Sequence, residues 1–147
     1  MMDIHSKSDY PLNALSNFFA HTFYIDGIMC ASMEGFLQSL KFKDPKQQYN
    51  ICQLTGGAAK DAGMTCDWRA DQTLYWQGTP LARSGQGYQH LLTRAFNALA
   101  TNDHFKAALK HTGNAPLDHS IGIDDPRETV LTRQEFLNQL MRLRRNL

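Results

Sequence analysis

The stretch that begins near Ser84 carries the clearest helical period in the chain. Apolar residues recur there at positions i, i+3, i+4, i+7, i+8 and i+11. They are Tyr88, Leu91, Leu92, Ala95, Phe96 and Leu99. These side chains form one face of a helix, so that face has to be buried against other parts of the chain. With 147 residues, 42% of them hydrophobic, the chain is long enough for one sizeable core. We therefore expect a single domain over residues 1–147.

Residues 16–30 are rich in aromatic and β-branched residues and are interrupted by Asp26-Gly27. An Asp-Gly pair is among the strongest short signals for a β-hairpin, so we predict two short antiparallel strands. After Ala31 the period becomes helical, and Ser32 is suited to cap the new helix. The apolar face of this helix consists of Met33, Phe36, Leu37 and Leu40.

Asp44-Pro45 resembles a helix cap followed by proline at the first helical position, so a second helix is expected to run toward Cys52. The Gly-Gly pair that follows is interpreted as a break. Residues 65–83 are expected to be irregular, with one short strand at 73–76.

Three features predict the structure of the last third of the chain. A short helix is expected from about Asp103 to His111, stopped by Gly113, and a long loop over residues 114–131 should follow it. Thr132 and Glu135 have the spacing of a capping box, and Leu131 and Phe136 that of a hydrophobic staple, so a final helix should begin here. Taken together, the elements predict an α+β fold that is mostly helical, with a few short strands near the amino terminus.

Composition excludes several classes of function. Fifteen basic and 14 acidic residues give a net charge of +1, so no general attraction to nucleic acid or to an anionic membrane is expected. The chain has no run of roughly 18 apolar residues and no apolar signal segment at its start, which favours a cytoplasmic location without membrane contact. Three widely spaced cysteines and the absence of zinc-binding spacing predict neither disulfides nor a metal site. We also expect no cofactor.

A polar stripe on the helix after Ser32 is the first candidate for chemistry. Glu34, Gln38 and Lys41 stand at i, i+4 and i+7 and project to the same side. Gly35 and Ser39 flank the stripe with very small side chains, which suggests room for a ligand. The competing interpretation is a solvated helix surface, in which case the stripe would line no pocket.

Three motifs together resemble the NADAR (YbiA-like) superfamily. The chain contains LSNFF from Leu15, then an Asp-Gly turn, then SMEGFLQSLKF from Ser32, in the order of the family signature. The resemblance extends to Trp76, to the Arg83 region with its long helix, and to the last helix. Three features depart from the family pattern. Gly35 stands where a histidine is usual, Met64 stands where an arginine is common, and residues 124–129 replace the terminal WG and GxN elements.

The resemblance implies a YbiA-like fold and hydrolysis of an N-glycosidic bond. Family members act on ADP-ribosylated guanine or on a ribosylaminopyrimidine phosphate of the riboflavin pathway, so the expected partner is a small nucleotide-like substrate or a modified nucleic-acid base. Glu34 would serve as a base or electrostatic stabiliser, kept ionised by the helix dipole. Lys41 matches the family lysine proposed to form a Schiff base with the opened ribose, and would need partial burial to lose its proton.

Other residues were assigned to substrate binding. Trp76 is a candidate for stacking on the base, and Arg83 for contacting phosphate. The remaining candidates are Asn17 and Phe18 of the first motif, Gln38 of the stripe, and His119 of the long loop. Asp125 is a candidate for a second catalytic carboxylate, although a turn cap is the competing interpretation.

Two rival functions stay open on the sequence. The first is a non-catalytic module that binds NAD or ADP-ribose, which the missing histidine and the altered terminal motif favour. The second is a helical interaction protein whose polar stripe is only solvated surface.

Overall fold

The computed structural model describes all 147 residues as six α-helices, six short β-strands and two short 3₁₀ helices. The helices are α1 Met33–Ser39, α2 Pro45–Cys52, α3 Gly56–Gly63, α4 Gln86–Leu99, α5 Asp103–His111 and α6 Arg133–Arg145. The strands are β1 Met2–Asp3, β2 Phe23–Ile25, β3 Ile28–Cys30, β4 Thr73–Trp76, β5 Thr79–Ala82 and β6 Leu117–Asp118. This is the expected α+β fold, dominated by helices. None of the helices has both the length and the apolar character needed to cross a membrane.

The predicted hairpin forms between β2 and β3. Phe23 pairs with Cys30 and Ile25 with Ile28, so only two residues lie in the turn. Both turn residues, Asp26 and Gly27, have positive φ (50° and 78°), which is the conformation that a tight two-residue hairpin requires.

The predicted helix starts in the first half of the chain are confirmed. Ser32 caps α1, because its Oγ accepts from the backbone N–H of Gly35 at 3.0 Å. Asp44 caps α2 through an Oδ1 that accepts from Lys46 N–H at 3.1 Å, and Pro45 occupies the first turn.

The predicted helices of the second half are confirmed. The structured stretch of α5 has the predicted bounds, and Gly113 after it has φ of 56°. The capping box at the start of α6 is formed in both directions between Thr132 and Glu135. The six apolar positions of α4 are all at most 3% exposed and belong to one core of 29 buried residues. Burying each of the large side chains among them stabilises the fold by about 1.5–3 kcal/mol.

The predicted break at Gly56-Gly57 is wrong, because these residues begin α3. Gly56 has φ of 51°, a conformation that glycine adopts without strain, so the first glycine turns the chain into a helix. Thr55 precedes it as the N-cap residue without a side-chain cap hydrogen bond. A Gly-Gly pair therefore starts a helix here.

The strands are also more widely spread than the expected amino-terminal set. β5 pairs with β4 in a second antiparallel hairpin within the stretch that was expected to be largely irregular. The two-residue strands β1 and β6 pair in parallel, with Met2 opposite Leu117 and Asp3 opposite Asp118. This pairing fixes the first residues of the chain against the loop that precedes α6, and the residues just after each strand, among them His5 and His119, line the cleft described next.

Candidate functional site

A cleft with two adjoining lobes lies between α1, the loop before β2 and the loop before α6. The two lobes, of about 180 and 420 Å³, share one boundary. The shared residues are Asn17, Glu34, Gln38, His119, Ile121 and Thr129. Four of the residues predicted from the sequence therefore meet at this boundary, and Phe18 joins them in the larger lobe.

Glu34 is the carboxylate at the boundary between the lobes. Its backbone N–H donates to Asn17 O at 3.0 Å, which ties the first turn of α1 to the LSNFF motif. The Gln38 Nε2 donates to Glu34 Oε2 at 2.7 Å. Burial raises the pKa of Glu34, although the Gln38 hydrogen bond and the charges of Lys41 and Lys60 oppose the shift. The helix-dipole argument predicted the opposite direction, and here desolvation dominates.

Gln38 holds Glu34 from a confined position. Its side chain is 8% exposed, and its Oε1 is the one buried side-chain oxygen or nitrogen without a hydrogen-bond partner. Gly63 at the end of α3 lies directly against this oxygen, so that a Cβ at position 63 would overlap it. The end of α3 thus packs against the Gln38 carboxamide and holds it next to the Glu34 carboxylate.

His119 contributes an imidazole to the same boundary. Its Nδ1 lies 2.8 Å from Ile4 O, and because a carbonyl only accepts, Nδ1 carries the proton. The neutral ring therefore has Nε2 as an acceptor. The Phe136 ring packs edge-on against the imidazole at a centroid distance of 5.1 Å and limits its orientation.

Lys41 lies outside the cleft. Its Nζ donates to Gly63 O at 3.5 Å, and the side chain lines a separate cavity of about 240 Å³ together with Cys66 and Trp68. Burial lowers the pKa of Lys41, while the negative charge of Glu34 opposes that shift. The lysine therefore has the partial burial that a nucleophilic role needs, but it lines neither lobe of the cleft.

Trp76 does not line the cleft. It is 6% exposed, its indole N–H donates to Asp26 Oδ2 at 2.8 Å, and its ring contacts Phe36 at a centroid distance of 5.2 Å. Asp26 also receives Arg94 Nη1 at 2.7 Å. In this structure the tryptophan connects the first hairpin to β4 and is not available for stacking on a base in the cleft.

Arg83 is a buried ion-pair residue. Its guanidinium is 2% exposed, and Nη2 and Nη1 donate to the two Glu135 oxygens at 2.7 and 3.2 Å. Nε donates to Thr129 O at 2.9 Å, and the Tyr88 ring lies 5.0 Å from Cζ. Because its guanidinium is already paired with Glu135 on α6, Arg83 is not available in the cleft as a phosphate contact.

Asp125 is a turn cap in this structure. Its Oδ1 accepts from Arg127 N–H at 3.0 Å, and the two side chains form a solvent-exposed ion pair at 3.5 Å. It does not line either lobe. No group of three or more His, Cys, Asp or Glu side chains is placed to hold a metal ion.

The small residues beside the polar stripe do not keep the cleft open, which corrects the sequence-based interpretation. A Cβ on Gly35 would lie 2.5 Å from Leu54 O and 3.0 Å from Ile51 O. Gly35 therefore permits close packing of α1 on the end of α2. Ser39 is fully buried and donates to Phe36 O at 2.6 Å.

Four polar residues of the larger lobe were not anticipated. They are His5, Ser6, Ser16 and Lys60. His5 and Ser6 reach the cleft through the pairing of β1 with β6, a contact between residues more than 110 positions apart that no local pattern signals. Lys60 lies on α3, which the sequence does not predict because the Gly-Gly pair at its start is interpreted as a break. A correct helix assignment over 56–63 would have been the signal that could find it.

The fold is that of the small α+β proteins of the YbiA-like type. The solved NMR structure of the Escherichia coli protein YbiA is similar over 99% of this chain and 86% of YbiA, with a TM-score of 0.62 and 21% sequence identity, which shows the shared fold. The family model described as bacteriophage protein GP30.3 matches residues 9–145, and the chain belongs to that family. The expected NADAR-type relationship is thereby confirmed.

One relative from a bacteriophage supports the same assignment along the whole chain. The 17.1 kDa protein of the Gp30-rIII intergenic region of Enterobacteria phage T4 is 38% identical over 149 residues, covering 99% of this chain and 98% of the relative.

Proposed function

We propose that this protein is an N-glycosidase that hydrolyses the bond between a ribose phosphate, or an ADP-ribose, and a nitrogenous base. The observation that carries the proposal is the partly buried Glu34 carboxylate where the two lobes of the cleft meet. Its pKa is raised by burial, which moves it toward the working pH of an acid–base catalyst. The resemblance of the three motifs to the NADAR superfamily supplies the reaction class.

The chemistry assigned to Glu34 is that of a general base. The carboxylate accepts a proton from water, the water oxygen forms a bond to C1′, and the C1′–N bond breaks. The electron pair of that bond goes to the base nitrogen, which takes up a proton from solvent. Positive charge develops at C1′ during cleavage, and a nearby carboxylate stabilises it.

Gln38 and His119 are assigned positioning and binding roles. Gln38 fixes the Glu34 carboxylate through the 2.7 Å hydrogen bond, leaving Oε1 of Glu34 for water. His119 offers Nε2 as an acceptor for a hydroxyl of the sugar, because its Nδ1 proton is already committed to Ile4 O. Asn17 adds a carboxamide at the same boundary.

In this proposal Lys41 forms no bond to the substrate. It stabilises the ionised form of Glu34 by its charge from the neighbouring cavity. A Schiff-base route through Lys41 would require the side chain to leave Gly63 O and move from its own cavity into the cleft.

The decisive experiment is base release from ADP-ribosylated guanosine and from a ribosylaminopyrimidine phosphate. The wild type is compared with Glu34→Gln, which keeps the size of the side chain and an oxygen to accept from Gln38. We expect release by the wild type from one of the two compounds and its loss in the variant. Undiminished release by Glu34→Gln would remove the carboxylate from the mechanism.

The competing function, a module that binds NAD or ADP-ribose without cleaving it, is an outcome of the same experiment. It would appear as ligand-dependent thermal stabilisation of the wild type with no base released from either compound. The position of Lys41 outside the cleft is the observation that favours this alternative.

A further inference from the structure

The two lobes of the cleft differ in the side chains that line them. The smaller lobe alone is lined by Leu37, Ile123, Val130, Leu131 and Phe136, all apolar. The larger lobe alone is lined by His5, Ser6, Ser16 and Lys60, all polar, together with Phe18. Glu34 lies where the lobes meet. The side chains that could contact the charged end of a ligand, apart from those shared by both lobes, therefore lie in the larger lobe.

Lys60 is a cation without a protein partner. Its Nζ forms no ion pair or hydrogen bond with the protein, and the residue is exposed and lines the larger lobe. The larger lobe contains one carboxylate, that of Glu34 at its boundary. A positive charge is thus available in this lobe for an anion from solution.

His5 and the serines supply hydrogen-bond donors beside Lys60. The His5 Nδ1 accepts from the Lys7 backbone N–H at 3.0 Å, so the neutral ring carries its proton on Nε2. The Ser16 Oγ accepts from Phe18 N–H at 3.2 Å, and its own hydrogen has no acceptor in the protein. Ser6 has no side-chain partner either. Several uncommitted donors therefore line the lobe that contains the unpaired cation.

We infer that the larger lobe binds the phosphate group of the substrate through Lys60 and His5, and that the smaller lobe takes the base. A phosphate oxygen is the ligand that suits this set, since it accepts from an ammonium, an imidazole N–H and hydroxyls together. The orientation places the glycosidic bond at Glu34. It also gives the phosphate role to Lys60, in place of Arg83. This inference rests on the proposed N-glycosidase function.

The first test is binding, which needs no turnover. Calorimetric titration of the wild type with ribose 5-phosphate, ribose and inorganic phosphate should show ribose 5-phosphate as the tightest of the three. Lys60→Gln should weaken ribose 5-phosphate about 10- to 100-fold, as expected for a lost charged hydrogen bond, and leave ribose unchanged. Lys60→Arg should restore most of the affinity. Lys106→Gln on α5, which is exposed and lines no cavity of the cleft, is the matched control.

The second test is the ratio of kcat/KM for a 5′-phosphorylated N-riboside to that for the same compound without phosphate. Lys60→Gln and His5→Ala should each lower this ratio about tenfold or more, mainly through KM for the phosphorylated compound. Repeating the comparison with ADP-ribosylated guanosine tests whether Lys60 contacts a diphosphate or a terminal phosphate. The loss caused by Lys60→Gln should be larger for whichever substrate, the ADP-ribosyl compound or the 5′-phosphorylated riboside, carries the phosphate group that Lys60 binds.

The outcomes separate this inference from the proposed function. Base release by the wild type with an unchanged phosphate ratio in both variants overturns the phosphate assignment and leaves the glycosidase proposal standing. Tight ribose 5-phosphate binding that depends on Lys60, without base release from any compound, supports the phosphate lobe and overturns the glycosidase. An equal loss for phosphorylated and unphosphorylated compounds would show that Lys60 only tunes Glu34 by its charge, and this too overturns the assignment.

Discussion

The Gln38 Nε2 lies 2.7 Å from Glu34 Oε2, one turn away on α1, while the Oε1 of the same carboxamide is buried against Gly63 without a partner. The carboxamide is thus held between the catalytic candidate and the end of α3. Leaving an acceptor buried and unpaired costs about 1–3 kcal/mol, so holding the Gln38 side chain in this position lowers the stability of the fold.

Glu34→Gln should lower base release about 10²- to 10⁴-fold, the usual contribution of a positioned general base. The fold should persist, because the glutamine side chain is neutral and its oxygen can still accept a hydrogen bond from Gln38. Kinetic assay and thermal unfolding of the same preparation measure both effects. A large fall in the melting temperature would instead identify Glu34 as structural.

The stability of the wild type should depend on pH through Glu34. Burial raises the pKa of Glu34 above its ordinary 4.5. At a pH between 4.5 and the raised pKa, the folded state therefore retains a proton that the unfolded state releases. The free energy of unfolding therefore falls as pH rises through this window. The charged or titratable groups that act on Glu34 are Lys41, Lys60 and His119.

The Glu34→Gln variant has no carboxyl group at this position and so does not titrate there. The stability of the variant relative to wild type should increase as pH rises from 4.5 to the raised pKa of Glu34, as measured by urea unfolding at each pH. A difference that stays constant over this range would contradict a raised pKa.

Gly63→Ala should destabilise the protein by about 1–3 kcal/mol, because the new methyl group overlaps the Gln38 carboxamide. Base release should fall as well, since Gln38 can no longer hold Glu34. Combining it with Gln38→Ala removes the clash, and the destabilisation of the double variant should be smaller than the sum of the two single changes. Additive effects would mean that Gly63 acts on something other than Gln38.

Lys41→Met should reduce base release by less than about tenfold, through loss of a cation near Glu34 in a partly buried site. Borohydride trapping offers an independent measurement. If an imine forms between Lys41 and an opened ribose, reduction leaves a stable amine adduct that mass spectrometry locates on this residue. An adduct together with complete loss of activity would establish the Schiff-base route in place of direct hydrolysis.

Arg83→Met should cost about 3–5 kcal/mol of stability, because it leaves the Glu135 carboxylate partly buried and without its cation. Arg127→Met is the matched control. Its ion pair with Asp125 is largely exposed to solvent, and its loss should change stability by about 0.5 kcal/mol or less. Chemical unfolding of both variants compares them directly. Equal effects would contradict the structural role of Arg83.

Local sequence signals were sufficient to predict those turns, helix starts and helix faces that depend only on residues close together in the chain. The Asp26-Gly27 turn, the Ser32 and Asp44 caps, the Thr132–Glu135 capping box and the apolar face of α4 all depend on residues within a few positions of each other. The stripe of Glu34 and Gln38 could be found in the same way, because helical spacing alone places the two side chains on one face.

Contacts between distant residues could not be predicted in this way. Arg83 and Glu135 are 52 positions apart, and nothing in either segment alone indicates that the guanidinium is already paired. His5 enters the cleft only because β1 pairs with β6. Lys60 depends on α3, whose two leading glycines imitate a break although one of them adopts the positive φ that starts the helix.

The contact of Gly35 with the end of α2 restricts how this chain can change over evolutionary time. Related sequences of the NADAR type commonly carry histidine at this position, but here even a methyl group would lie 2.5 Å from Leu54 O. A histidine introduced alone at this position would therefore disrupt the packing of α1 on the end of α2. A residue larger than glycine could be accepted here only together with a shift of the 52–55 connection away from α1.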